Sequence, residues 1–226
     1  MNHRLKRAVL ACGLGLLAGA AGPCEQAAID AERTFDLPTG LMHAIGRVES
    51  GRYDNATGTI VPWPWTIDVA GEGQQFDSAE VAVRTTQALR AKGARNIDVG
   101  CFQISLLYHP DAFETMEEAF DPPSNGRYAG RLLASLKARL GSWPEAVAAY
   151  HSADPARGTP YRAKVYATWN GAPAPIPVVA EVPSGPQQLP FGITLWTPSR
   201  PGQAPSAIHV GPGPALPWPK VTSPGD

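Results

Sequence analysis

The chain has no Lys/Arg stripe interleaved with aromatic residues, so the footprint of a nucleic-acid binder is missing. Its histidines, His43, His109, His151 and His209 beside His3 near the start, form no His-Glu-x-x-His pair, which leaves metal binding unsupported and calls for no cofactor. No serine sits in a nucleophile elbow. Only one apolar run stands out, Ala8 to Leu17, and it is too short to span a bilayer comfortably. Cysteine is scarce at 3 residues, and the formal charge is only -1.

What is present starts with that apolar run. Arg4, Lys6 and Arg7 precede it, and Ala18 and Ala20 follow at cleavage-site spacing, so residues 1–20 read as a secretory signal peptide. Its removal takes three positive charges and leaves about -4, which argues against electrostatic capture of an acidic polymer. Cys12 departs with it. Cys24 and Cys101 remain, and in an oxidising compartment the expectation is a disulfide between them.

Helix signals dominate to Trp169. One helix is expected from Glu25 to Phe35 and a second from Thr39 to Glu49, separated by Leu37-Pro38. Thr, Ile, Val and Trp between glycines in "NATGTIVPWPWTIDVAGEGQQF" read as a two-stranded hairpin, with Trp63 and Trp65 alternating onto one side, as sugar-stacking platforms or as core. Helices follow from Ser78 as N-cap to Gly93, along Tyr128, Leu132, Leu136 and Leu140 spaced by four, from Ser142 as N-cap, and through "TPYRAKVYATW". Beyond Trp169 the character changes: residues 171–226 hold 14 of the 24 prolines, and an extended, disordered tail is expected there.

Glu49 is the anomaly within this pattern. It shares a helix face with Leu41, Ile45 and Val48, directly before Ser50 and Gly51. A carboxyl on a partly apolar face at a helix C-terminus is disfavoured from ionising. Asp68 and Asp98, the other acids of interest, read as turn or capping residues.

"ESGR" at Glu49, "DVGCFQI" from Asp98, "FDPPSNGRYAGRLLASL" from Phe120, "AVAAYHS" from Ala146 and "PYRAKV" from Pro160 resemble, in order, the motif series of the soluble lytic transglycosylase family. The resemblance covers roughly Cys24 to Trp169. It implies a mainly helical, lysozyme-like catalytic domain over residues 24–169 with a small β-hairpin insertion. It also implies cleavage of the peptidoglycan glycan between N-acetylmuramic acid and N-acetylglucosamine by a single glutamate, which here is Glu49. Tyr150 matches the family tyrosine whose hydroxyl points at the acid, and Ser50 and Gln103 match positions that contact sugars. Asn125 reads as a cap or brace for the following helix. His151 stands where the family has asparagine, and histidine there can still donate to a sugar or acetamide.

The 54-residue separation of Glu49 and Gln103 resembles a branch associated with secretion or conjugation machinery. The signal peptide makes a periplasmic location the expectation, and the lack of an obvious repeat or coiled coil makes a monomer the default; the resemblance implies glycan strands as substrate and such an apparatus as a candidate partner. A muramidase or chitinase-type hydrolase of the same fold, or a wall-binding assembly protein without turnover, are the alternatives.

Overall fold

The computed structural model describes residues 21–171 and, farther along, the backbone of three short strands. The expected signal peptide lies outside the described residues. In chain order the elements are α1 (Pro23–Thr34), α2 (Leu41–Ser50), β1 (Gly51–Asp54), β2 (Thr59–Pro62), β3 (Thr66–Val69), β4 (Glu72–Gln75), α3 (Ala79–Ala91), β5 (Ile97–Val99), β6 (Ile104–Ser105), α4 (Met116–Ala119), α5 (Pro122–Leu140), α6 (Trp143–His151) and α7 (Pro155–Trp169). The protein is mainly α, with small antiparallel sheets. No helix among the described residues is long and apolar enough to cross a membrane.

Two cores form. The first lies among α1, α2, α5, α6 and α7, around Leu41, Met42, Ile45, Phe102, Leu133 and Val165. α1 packs on α5 because the buried face of α5 is made of small residues, Gly126, Ala129 and Gly130, continued by Leu133 and Leu136. A Cβ at Gly126 would come within 2.9 Å of the Ala27 Cβ, so the two backbones meet with no room for a side chain. The expected stripe of Tyr128, Leu132, Leu136 and Leu140 is therefore displaced: Leu136 is buried, but Leu140 is 42% exposed. Close helix approach selects the small face over the leucine face.

The second core gathers Ile67, Leu89, Ile97, Val99 and Phe120 between a sheet and α3 and α4. Here the single expected hairpin is corrected. The segment forms two hairpins, β1 with β2 and β3 with β4, and β3 also pairs with β5, giving a four-stranded sheet of order β4-β3-β5-β6. Pro62 and Pro64 are the physical reason, since proline interrupts a ladder and splits the run.

Helix ends follow local chemistry. Ser78 and Ser142 cap α3 and α6 by accepting from the Val81 and Glu145 backbone N–H groups, as expected. α2 begins differently. Its N-cap is Gly40, which has no side chain, and the buried carboxylate of Glu32 on α1 accepts from the N–H groups of Gly40 and Met42 at 2.8 Å and of His43 at 3.4 Å. The start of α2 is thus fixed by its neighbour. Trp169 at the end of α7 also reaches it, donating from Nε1 to the Thr39 carbonyl at 2.9 Å.

In the proline-rich region, Pro186–Leu189, Ile193–Trp196 and Ile208–Val210 are strands β7, β8 and β9 of a three-stranded antiparallel sheet. Those three stretches are paired strands within the region expected to be an extended, disordered tail. The rest of that expectation lies outside the described residues.

Candidate active site

The turn from Gly100 to Gln103 joins the two cores, and a disulfide and three hydrogen bonds from α1, α2, α5 and α6 converge on it. Cys101 is disulfide-bonded to Cys24 on α1, with Cα atoms 5.6 Å apart, so the expected pairing is present. The Ser50 hydroxyl donates to the Cys101 carbonyl at 2.7 Å. The Asn125 side chain, fully buried, accepts from the Phe102 N–H and donates to the Val99 and Ala119 carbonyls, each at 3.0 Å. Tyr150 donates from its hydroxyl to the Phe102 carbonyl at 2.8 Å. Gly100 closes the turn at φ +82°, where a side chain would be strained.

Glu49 lies beside this turn in the last helical turn of α2. It is half-buried, and its pKa is pushed up from 4.5 to about 8. Burial is the largest cause; the nearby Tyr161 hydroxyl opposes it, and the charges of Asp98 and Asp68 add to it. At neutral pH the protonated carboxyl is therefore the prevailing form.

The hydroxyl facing Glu49 belongs to Tyr161, not Tyr150. The expectation for Tyr150 is corrected in this respect: its proton is committed to the Phe102 carbonyl. Tyr150 still lies near enough for the Glu49 charge to help hold its phenol well above the usual range, after burial. The Tyr161 hydroxyl is buried and meets no partner at regular hydrogen-bond geometry, yet it is close enough to Glu49 for each group to shift the other. α7 carries Tyr161 inward against α2 with Val165, one turn on, anchoring it in the core.

The other expected residues divide. Ser50 is 1% exposed and bonds within the protein, to Cys101 and Gly46 and from the Trp63 N–H, so in this structure it braces the turn instead of presenting itself to a ligand. Gln103 adopts φ +47°, uncommon for a residue with a side chain, and its amide donates to the Gly100 and Thr66 carbonyls at 2.8 and 3.1 Å. Its amide hydrogens are engaged, and its side-chain oxygen is what it can offer a ligand.

Trp63 and Trp65 do not alternate along a strand. They sit in the bend between β2 and β3, edge to face with centroids 5.2 Å apart and planes at 82°. Trp63 donates to the Phe76 carbonyl, carries the Arg52 guanidinium 4.1 Å over its ring and lines a cleft of about 650 Å³ with Pro23, Tyr53, Asn55 and Pro64. Trp65 packs against the second core. Glu49 is not among the residues lining that cleft. His151, the last residue of α6, is exposed and stacks flat on the Tyr161 ring.

Asp98 departs most from expectation. It is not a turn or cap residue. It lies on β5 opposite Asp68 of β3 and Ser105 of β6, its Oδ1 buried without a hydrogen-bond partner. Burial holds its pKa up, Ser105 opposes this, and the Asp68 charge adds to it. Asp68 does serve a turn, accepting from the Gly71 N–H at 2.6 Å. Among the described residues no group of three His, Cys, Asp or Glu side chains is placed to hold a metal ion.

No family model, curated protein or solved structure matches the chain.

Proposed function

We propose that the protein is a lytic transglycosylase acting on peptidoglycan glycan strands, with Glu49 as its acid and base on a lysozyme-like helical scaffold. The observation that carries this reading is a carboxyl held protonated up to about pH 8, at the joint between two cores. A general acid works best with a pKa near the working pH. Glu49 would donate its proton to the departing glycosidic oxygen. The muramyl 6-hydroxyl then attacks the anomeric carbon, and the Glu49 carboxylate takes the hydroxyl's proton as the 1,6-anhydro ring closes. The Tyr161 hydroxyl supports the carboxylate between these steps by hydrogen bonding, and Gln103 offers its side-chain oxygen to the sugar. An exported, periplasmic monomer working with a secretion or conjugation apparatus suits this chemistry.

Asp98 favours a second reading. Hydrolytic glycosidases use two carboxylates, and Asp98 is a second acid whose charge reaches Glu49. In a hydrolase it would activate water or hold the oxocarbenium charge.

Mass spectrometry of fragments released from purified peptidoglycan separates the two. Anhydromuramyl ends, one water lighter than hydrolytic ends and lost with Glu49→Gln, are the expected result. Reducing ends that vanish with Asp98→Asn would establish the hydrolase instead. Removing the general acid should lower the rate on the order of 100-fold or more; a Glu49→Gln protein that lyses walls like the wild type would overturn both readings.

A further inference from the structure

The imidazole of His151 and the phenol of Tyr161 stack with centroids 4.6 Å apart and planes within 10° of parallel. Tyr161 is 6% exposed, whereas His151 is exposed, so the imidazole forms the outer cover of the phenol ring. The two residues come from different helices, α6 and α7, and the phenol's far end reaches Glu49 on α2. A flat aromatic contact restrains ring tilt, and here it also keeps water from one face of the group that meets the acid.

We propose that His151 is a positioning residue that acts through Tyr161: its ring clamps the phenol so that the hydroxyl stays beside the Glu49 carboxyl, and by covering the phenol it limits the water that reaches the two. The sugar-donor role expected at this position is not required. The proposal rests on Glu49 being the working acid, but its test does not need turnover.

The charged and titratable groups around the pair are few. Where it packs on Tyr161 the His151 ring is partly desolvated, and this, with the charges of Arg157 and Lys164 of α7, lowers its pKa and favours the neutral ring. Glu49 is faced by Tyr161 of α7, Tyr150 of α6, Asp98 of β5 and Asp68 of β3. His151 therefore influences Glu49 by covering Tyr161, not by adding a charge beside it.

Direct titration of Glu49 tests this, using carbon NMR of carboxyl-labelled glutamate with the Glu49 signal assigned by its loss in Glu49→Gln. In His151→Ala and His151→Asn the cover is gone and water reaches the pair; because burial is the largest cause of the raised Glu49 pKa and the Tyr161 hydroxyl a smaller opposing one, relief of burial outweighs the loosened hydroxyl and the midpoint should fall by about one pH unit. In His151→Phe the flat contact survives without a titrating group, and the midpoint should stay within about a few tenths of wild type. An unchanged midpoint in both ring-less variants would overturn the proposal. So would a Phe variant displaced as far as Ala, which would assign the effect to the imidazole's polarity. If either ring-less variant does not fold, the other and the Phe variant still decide.

Kinetics give an independent arm. The alkaline limb of kcat should move down in pH with the NMR midpoint, while KM for a glycan fragment holds. A raised KM with an unmoved limb would return His151 to a sugar contact. Failure of the enzymatic reading would instead appear as activity retained by Glu49→Gln, with the NMR titration still readable.

Discussion

The helical core and the sheet core are built on opposite principles. Around α1 and α5, Gly126 and Gly130 let backbones touch Ala27 and Ala31, and nothing can be added. In the sheet core, branched and aromatic side chains such as Ile67, Ile97 and Phe120 fill the space, and the hairpin tips stand open: at Gly71 a Cβ would meet nothing within 4 Å. Glu49 belongs to the first and Asp98 to the second. The two carboxyl groups thus stand where a tightly fitted part meets a looser one, and the turn between them decides how far they keep their relation.

The strongest way to break that arrangement is to cut the Cys24–Cys101 tie, which closes 77 residues of separation. Replacing both cysteines with serine should cost about 4 kcal/mol in urea unfolding. A loss below about 1 kcal/mol would mean that hydrogen bonds alone hold the turn. Gly100→Ala attacks the same turn from within, because its Cβ would fall 2.4 Å from the Asn125 Nδ2 at a backbone angle side chains avoid. About 3 kcal/mol should be lost, and a near-neutral result would show that the turn can shift freely.

Glu49→Gln should move stability the other way. With its folded pKa near 8 against 4.5, Glu49's contribution is complete below about pH 4.5 and is lost as pH climbs toward 8. Glutamine carries no such burden, so the variant should gain roughly 2–3 kcal/mol at pH 7 and nothing at pH 4. Thermal melts across that range check it, and a constant difference would contradict the raised pKa. The smallest effect belongs to the open hairpin: Gly71→Ala, strained at φ +98° but unobstructed, should cost about 1 kcal/mol. A loss as large as that at Gly100 would erase the contrast between the two regions.

Much of the helical region was legible because its signals are local. Ser78 and Ser142 announce helix starts, and the two cysteines left no other pairing between themselves. What failed to read depends on contacts far apart in sequence. Tyr161 lies in the "PYRAKV" motif, but nothing in the sequence ties it to Glu49 until α7 is laid against α2. Asp98 meets Asp68 only because β3 pairs with a strand beyond β4 and α3. The acceptor of the Tyr150 hydroxyl was not legible, since a backbone carbonyl 48 residues away carries no signature. The small face of α5 was hidden by its more conspicuous leucines. Two prolines in "VPWPW" did hold the information that the β segment breaks there, and they were the signal that went unused.

α2 carries a carboxyl group at each end, one borrowed and one its own. Glu32 grips the first turn through three backbone N–H groups, and Glu49 occupies the last. Ten helical residues span about 15 Å, and a helix does not stretch. α2 is therefore a gauge rod: α1 sets its origin, its length is fixed by the backbone, and the acid is the mark at its far end. Errors at the origin would be carried undiminished to the mark, so the position of the Glu49 carboxyl is set in part at Glu32, at the opposite end of α2.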